Sequence, residues 1–314
     1  MLSLGEMADV ERQLEPTFEV HRATGADIDG LVARHGPAIR AVTTRGRDRL
    51  DAALLARLPS VEIIANFGVG YDSIDLDAAA RRGIVVTNTP DVLNDEVADF
   101  AVALLLATVR RLPQADRFVR SGRWLQGNFP LGPTLRDRTV GLVGMGRIGK
   151  RIGQRLSAFE VPIVYHSRTA RPDVPYRHYP ELLAMAKDVD TLLAILPGGP
   201  ATQGLIDAAV LAALGPDGVL INVARGSVVD EPALVEALRS GTILAAGLDV
   251  FADEPRVPQP LLEMDNVVLL PHVGSATRHT RGLMGRLVVD NLLSWFAGRG
   301  PLTPVPETPW PRRA

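Results

Sequence analysis

Short apolar runs alternate with helix-length segments along almost the whole chain. The runs at 39–43, 61–65 and 84–87 are rich in Ile and Val and have the length of buried strands. Between them, 47–57 and 76–82 have the length and composition of helices. A second series opens at 139, with candidate strands at 139–143, 163–166, 191–196, 218–223, 243–248 and 267–270. Strand and helix in alternation predict βαβ units and parallel sheets. The expected fold class is α/β, with two Rossmann-like domains built on doubly wound parallel sheets. A last helix, about 276–297, is expected to return to the first domain. That domain is then discontinuous, comprising residues 1–98 and 285–314, with 99–284 forming the second.

Two segments break the alternation. The stretch 94–111 has a centre, FAVALLLATV, that is apolar on every side. Such a helix must be covered on all faces, so a long buried helix joining the domains, and also part of a subunit interface, is expected, with an ordinary core helix as the alternative. The tail 301–314 has five prolines and predicts an extended, non-helical end.

Composition narrows the function classes. A chain of 314 residues exceeds what one hydrophobic core usually fills, which agrees with two domains. No cysteine is present, so disulfides, thiolate nucleophiles and cysteine-ligated metals are excluded. No metal site is expected. A net charge of −2 gives no reason to expect a nucleic-acid or membrane partner. The longest apolar run, at 100–109, is far short of the roughly 20 residues a membrane span needs. Residues 1–10 carry Glu6 and Asp9 and no basic stretch, so no signal peptide is expected and the cytoplasm is the predicted location.

The segment from Thr139 to Gly149, TVGLVGMGRIG, is a strand entering a G-x-G-x-x-G turn. A helix follows, with apolar Ile148, Ile152 and Leu156 spaced every four residues. That context makes the glycines a dinucleotide motif. Gly144 permits the tight turn, Gly146 lets the backbone approach a pyrophosphate, and Gly149 lets helix and strand pack closely. The helix N-terminus offers free N–H groups and a positive dipole to the phosphates.

The next strand bears on which dinucleotide binds. NAD binders place an acid on the ribose hydroxyl about 20 residues on. Here the strand 163–166 is followed by Ser167, Arg168, Thr169 and Arg171, and no acid appears before Asp173. Hydroxyls and guanidinium groups suit a dianionic 2′-phosphate. NADP(H) is therefore preferred, with NAD(H) as the alternative.

Of six histidines, at 21, 35, 166, 178, 272 and 279, one stands out. His272 ends the apolar run VVLLPH, and ligands bind at the carboxyl ends of strands in open α/β sheets. A histidine there suits proton transfer between a carbonyl and an alcohol. Arg225 closes another strand and suits a substrate carboxylate. Glu254 lies beyond a third strand, where a carboxylate beside His272 would orient the ring and stabilise it when charged.

The segments VGLVGMGRIGK, INVARGSVVDE, AAGLDVFADEP and LLPHVGSAT resemble, in content and order, the D-isomer-specific 2-hydroxyacid dehydrogenases. The likeness extends upstream through NFGVGYDSIDL and GIVVTNTPDVLNDEVADFAVALLLA. Within the family, YHSRTARPDVPYRHYPEL and PLTPV are most similar to NADPH-dependent glyoxylate/hydroxypyruvate reductases. The resemblance implies an NADPH-dependent 2-keto acid reductase with a substrate (catalytic) domain at 1–98 plus 285–314. Arg225 would bind the substrate, and Glu254 would pair with His272, the general acid. Val69 and Gly70 would hold the carboxylate through backbone N–H groups. Arg147 and Ile148 would join Gly144, Gly146 and Gly149 at the pyrophosphate, and Ser167, Arg168 and Thr169 would meet the 2′-phosphate. Pro197 would line the adenine side and Asp249 would take the nicotinamide carboxamide. Val223 and Gly274 would complete the cofactor site. A homodimer through the nucleotide-binding domains is also implied.

Two departures stand out. Relatives often have Leu-Thr after the proline, where this chain has Gly198-Gly199-Pro200, so the adenosine loop is expected to differ. Some relatives bring a partner's tryptophan to the substrate, and Trp124 is the candidate here. Two alternatives remain: a dehydrogenase of a bulkier keto acid, and a dinucleotide-sensing corepressor-like protein, which can keep the same Arg, Glu and His. At this length no appended regulatory module is expected.

Overall fold

A computed structural model describes residues 1–5, 7–23, 27–46, 49–308 and 310. The chain forms two compact units, Met1–Leu93 with Thr277–Ala314, and Asn94–Ala276. The divisions fall at the starts of two helices, Asn94–Val109 and Arg278–Phe296. Boundaries at 98 and 284, read from the sequence, would cut both helices internally. Among the described residues no helix is long and apolar enough to cross a membrane.

The first unit holds a five-stranded sheet of β1 (Leu2–Leu4), β2 (His21–Ala23), β3 (Ala41–Thr44), β4 (Ile63–Asn66) and β5 (Val85–Thr87), in the order β2-β1-β3-β4-β5. Every pair is parallel. The central strands are buried along their whole length rather than alternately, as sheets covered on both faces require. Order 2-1-3-4-5 is one of the two common doubly wound arrangements. The sequence pattern showed β3, β4 and β5 but not β1 and β2, whose Leu-Ser-Leu and His-Arg-Ala carry no continuous apolar run. The helix expected over 47–57 covers only Ala52–Ala56, starting after Asp51, whose side chain accepts from the Leu54 N–H at 2.9 Å. Arg47 and Asp48 lie outside the described residues.

Helix Arg278–Phe296 returns to this unit and packs on β4 and on helix Ala8–Leu14. After it, the chain lies along β5, where the Val305 N–H donates to the Val86 carbonyl at 2.9 Å. The end of the proline-rich tail, Pro309 and residues 311–314, lies outside the described residues.

The second unit holds seven parallel strands: β6 (Val140–Val143), β7 (Ile163–His166), β8 (Arg177–Tyr179), β9 (Thr191–Ala194), β10 (Val219–Asn222), β11 (Ala245–Leu248) and β12 (Val267–Leu269). Their order is β12-β11-β10-β9-β6-β7-β8. The chain winds outward from β6 to β8, then crosses back to β9 and winds the other way. That reversal beside β6 is the dinucleotide-binding switch point of the Rossmann arrangement. The six expected strands are all present, and β8 is an addition. Its sequence, Arg-His-Tyr, is a polar edge strand without an apolar run.

Helix Asn94–Val109 lies against this sheet. A Cβ on Gly247 of β11 would sit 2.3 Å from Thr108 Oγ1, so the missing side chain is what lets helix and sheet approach. The helix is not covered all round: Asp95, Asp99 and Ala103 are exposed. Asp95 and Asp99 both pair with Arg155 of helix Arg147–Ser157.

Candidate active site

The glycine turn shows a different steric reason at each position. Gly144 takes φ 109°, and a Cβ there would lie 2.3 Å from the Ile195 carbonyl oxygen. A Cβ on Gly149 would lie 2.4 Å from the Gly144 carbonyl oxygen, so the helix start sits directly on the turn. Gly146 faces open space, with nothing within 4 Å of a Cβ position. It is also the N-cap of helix Arg147–Ser157 and supplies no side-chain cap. The first N–H groups of that helix, at Arg147, Ile148 and Gly149, therefore line a space that an anion can enter. This cradle fits a dinucleotide pyrophosphate.

The loop after β7 adjoins the turn, since the Gly144 N–H donates to the His166 carbonyl at 2.9 Å. Ser167 Oγ donates to the Thr169 carbonyl at 2.7 Å, and the Arg171 N–H donates to Tyr165 Oη at 2.6 Å. Two histidines without a distinctive sequence neighbourhood complete the loop. His178 Nε2 donates to the Ser167 carbonyl at 2.8 Å, and His166 Nδ1 donates to the Tyr179 carbonyl at 3.0 Å. Arg168, Thr169 and Arg171 are exposed. Asp173 bonds to Lys150, which holds its carboxyl below the ordinary value. Asp173, the first acid after the loop in sequence, is thus already paired. Beyond β9, Thr202 Oγ1 donates to the Pro197 carbonyl at 2.8 Å and closes the Gly198-Gly199-Pro200 turn.

Three loops at the carboxyl ends of β10, β11 and β12 carry Arg225, Glu254 and His272. Asn222 ends β10 and binds the first loop twice: Nδ2 donates to the Arg225 carbonyl at 3.0 Å, and Oδ1 accepts from the Ala224 N–H at 3.0 Å. Arg225 is half-buried, and Val223 is 8% exposed. The second loop crosses this one at Gly226, where a Cβ would lie 1.8 Å from the Phe251 carbonyl carbon. Only glycine leaves room for that crossing.

His272 adopts the left-handed conformation, φ 57°, which a side chain rarely takes without support. Asp249, 2% exposed, supplies that support. Its two carboxylate oxygens accept from the Val273 N–H at 2.8 Å and the Gly274 N–H at 2.9 Å. Burial pushes the Asp249 carboxyl above its ordinary value, against the pull of those two amides and of His272. Glu254 Oε2 then meets His272 Nδ1 at 2.8 Å, while its Oε1 accepts from the Phe251 N–H at 3.2 Å. With Nδ1 turned to the carboxylate, Nε2 is the ring nitrogen left to exchange a proton with a ligand.

In the first unit, Val69 and Gly70 follow β4. Their carbonyls are tied back, Val69 to Asn88 Nδ2 at 3.0 Å and Gly70 to Asn66 Nδ2 at 2.9 Å. Their own N–H groups have no hydrogen-bond partner among the described residues.

The sequence model of the NAD-binding domain of the D-isomer-specific 2-hydroxyacid dehydrogenases matches residues 102–274. The chain belongs to that family. Like other 2-hydroxyacid dehydrogenases it is an oxidoreductase, and residues 102–274 are its NAD(P)-binding region. An NADPH-dependent glyoxylate/hydroxypyruvate reductase of Sinorhizobium meliloti, solved with NADP and malonate, is 53% identical. It superimposes with a TM-score of 0.94, covering 100% of this chain and 98% of that one. Glyoxylate/hydroxypyruvate reductase A of Arabidopsis thaliana is 47% identical over 94% of this dehydrogenase and 95% of its own length. Hydroxyphenylpyruvate reductase of Plectranthus scutellarioides is 44% identical over the same shares.

Sequence reasoning missed the residues that hold this dehydrogenase's loops in place. Asn222 and His178 act through bonds to backbone atoms, and no residue spacing signals such bonds. For Asp249 the expected cofactor contact was stated, but not its hold on the His272 loop.

Proposed function

We propose that this dehydrogenase reduces small 2-keto acids, glyoxylate and hydroxypyruvate, to 2-hydroxy acids with NADPH. The observation that carries the reading is the 2.8 Å Glu254–His272 bond at the carboxyl edge of a dinucleotide-binding sheet, one loop away from Arg225. The NADPH-dependent relatives support the choice of substrate and cofactor.

When bound, the nicotinamide supplies the hydride equivalent of the reduction. Gly144, Gly146, Arg147, Ile148 and Gly149 hold the pyrophosphate, and Ser167, Arg168 and Thr169 hold the 2′-phosphate. Pro197, Val223, Asp249 and Gly274 line the rest of the cofactor site. The N–H groups of Val69 and Gly70 take the substrate carboxylate. Arg225 binds the substrate and polarises its 2-carbonyl, stabilising charge that develops on the oxygen. His272 enters as imidazolium and gives its Nε2 proton to that oxygen, and Glu254 stabilises the charged ring before transfer. The neutral imidazole regains its proton from solvent.

A homodimer in the cytoplasm belongs to the same reading. Exposed apolar side chains in the nucleotide-binding unit support the dimer: Val119 is 54%, Trp124 64%, Leu125 94% and Leu131 100% exposed. A bulkier keto acid is the second reading, favoured by the hydroxyphenylpyruvate reductase relative.

The test is a substrate panel run with both NADPH and NADH. Hydroxypyruvate and glyoxylate should consume NADPH faster than NADH. Faster turnover of an aromatic keto acid would move the assignment to the second reading. Tight dinucleotide binding without turnover of any keto acid would overturn both.

A further inference from the structure

The loop bearing Glu254 has two consecutive N–H groups, and each is held by a carboxylate. Phe251 N–H goes to Glu254 itself at 3.2 Å. Ala252 N–H goes to Glu231 Oε1 at 2.7 Å. Glu231 has no part in the chemistry described above. It is the first residue of helix Glu231–Ser240, whose N-cap duty is done by Asp230, with Oδ1 accepting from the Ala233 N–H at 3.1 Å. A carboxylate in a first helical turn ordinarily serves its own helix. This one reaches instead to a loop 21 residues further along the chain. It does so at a cost, because burial pushes its carboxyl above the ordinary value, although the Ala252 amide pulls the other way.

The placement links the acid/base residues to one another. Gly226, next to Arg225, presses on the Phe251 carbonyl and the Ala252 nitrogen from one side. Glu231, a short turn later on the same connection, grips the Ala252 N–H. The Arg225 loop thus fixes the Glu254 loop at two points, and Glu254 in turn holds His272.

We propose that Glu231 is a positioning residue for the Glu254–His272 pair, acting through the Ala252 amide. The proposal rests on the reductase reading for its kinetic consequence, but not for its structural one. Without the carboxylate, the Ala252 N–H loses a short charge-assisted bond and the loop can shift, and a displacement near 1 Å in such a site costs roughly a hundredfold in rate. Glutamine keeps a carbonyl acceptor at the same reach and should preserve the position.

The test compares wild type, Glu231→Ala, Glu231→Gln and, as a control on the same helix, Glu236→Ala. In hydroxypyruvate reduction Glu231→Ala should lower kcat about ten- to a hundredfold with KM for NADPH unchanged. Glu231→Gln should stay within about threefold of wild type, and Glu236→Ala should match it. Amide hydrogen exchange, which needs no turnover, should quicken at Ala252 in Glu231→Ala and not in Glu231→Gln. Wild-type kcat in Glu231→Ala, or equal losses in the Ala and Gln variants, would overturn the proposal. If wild type reduces no keto acid, the reductase reading fails alone. Exchange then decides: faster exchange confined to the Ala variant supports positioning, and unchanged exchange overturns it.

Discussion

Gly226→Ala tests whether the crossing of two loops sets the catalytic geometry. The added methyl would stand 1.8 Å from the Phe251 carbonyl carbon, 2.1 Å from its oxygen and 2.2 Å from the Ala252 nitrogen. All three are backbone atoms, so no side chain can swing aside. Ordinary carbon–carbon contact is about 3.5–4.0 Å, so the chains must part by roughly 1.5–2 Å. Forcing an extra methyl into a packed site costs about 1–3 kcal/mol. Against a typical total of about 5–15 kcal/mol the variant should still fold. Geometry suffers more than stability. The Glu254–His272 bond is 2.8 Å, and a shift of that size in the Glu254 loop carries it past hydrogen-bond reach. Misplacement of about 1 Å costs on the order of a hundredfold in rate, so kcat should fall by at least that factor. NADPH affinity should fall less than kcat, because the glycine turn and the 2′-phosphate loop follow β6 and β7, although Val223 and Asp249 lie on the two displaced loops. Initial rates with saturating hydroxypyruvate, NADPH titration by fluorescence and a thermal melt separate these effects. A folded Gly226→Ala with near-wild-type kcat would refute the reasoning.

Other predictions follow from single contacts. His272→Ala should lower kcat by about a hundred- to ten-thousandfold in a turnover assay, since it removes the proton donor; near-normal turnover would end that assignment. Arg168→Ala should raise the Kd for NADPH about ten- to a hundredfold and leave NADH nearly unchanged; equal effects on both would remove Arg168 from the 2′-phosphate site. His21 stacks on His35 at 4.1 Å between ring centroids, and burial, then His35, lower its pKa from 6.5 against the pull of Glu19, with the Met1 amine adding a smaller lowering. The unfolded chain therefore binds that proton more tightly. Stability from neutral His21 is present above pH 6.5 and is lost as the pH falls through the lowered value. Urea midpoints measured across that range should converge for wild type and His21→Gln at low pH, and a pH-independent difference would contradict the sign.

What could be read from the chain divides along a physical line. Gly144, Gly146 and Gly149 were legible because the absence of a Cβ is written in the sequence at a fixed spacing. Arg225 and His272 were legible because apolar runs mark strands and both residues stand just past a run's end. β1, β2 and β8 were not: β5 and β12 are equally short but sit in runs of Val, Ile and Leu, whereas Leu-Ser-Leu is interrupted and His-Arg-Ala and Arg-His-Tyr have no apolar run. Helix Asn94–Val109 is buried along most of its apolar centre, and Ala103 is the residue of that centre exposed in the single chain. Gly226 read only as the neighbour of Arg225, because the atoms it must admit belong to residues 25 and 26 positions further on.

The three loops at the site are joined by the Glu254–His272 pair, by side chain-to-backbone bonds and by one steric crossing. Asn222 shapes the Arg225 loop, Asp249 holds the two amides after His272, and Glu231 holds the amide before Glu254. Asn222 ends the strand that its own loop leaves, whereas Asp249 follows the strand beside β12 and Glu231 opens the helix after the strand beside β11. A backbone amide has one direction and cannot rotate away, so an acceptor placed on it fixes the loop more tightly than a pair of long flexible side chains would. The reacting groups need such fixing, because an arginine, a carboxylate and an imidazole must present charge at a set point before substrate arrives. The sheet supplies it through register: β10, β11 and β12 pair in parallel with their ends aligned, Asn222 opposite Leu248 and Leu248 opposite Leu269. A side chain just past one strand's end therefore reaches the backbone just past the next. Chemistry could change along this edge by replacing loop residues, while the anchoring pattern passed from strand to strand stayed the same.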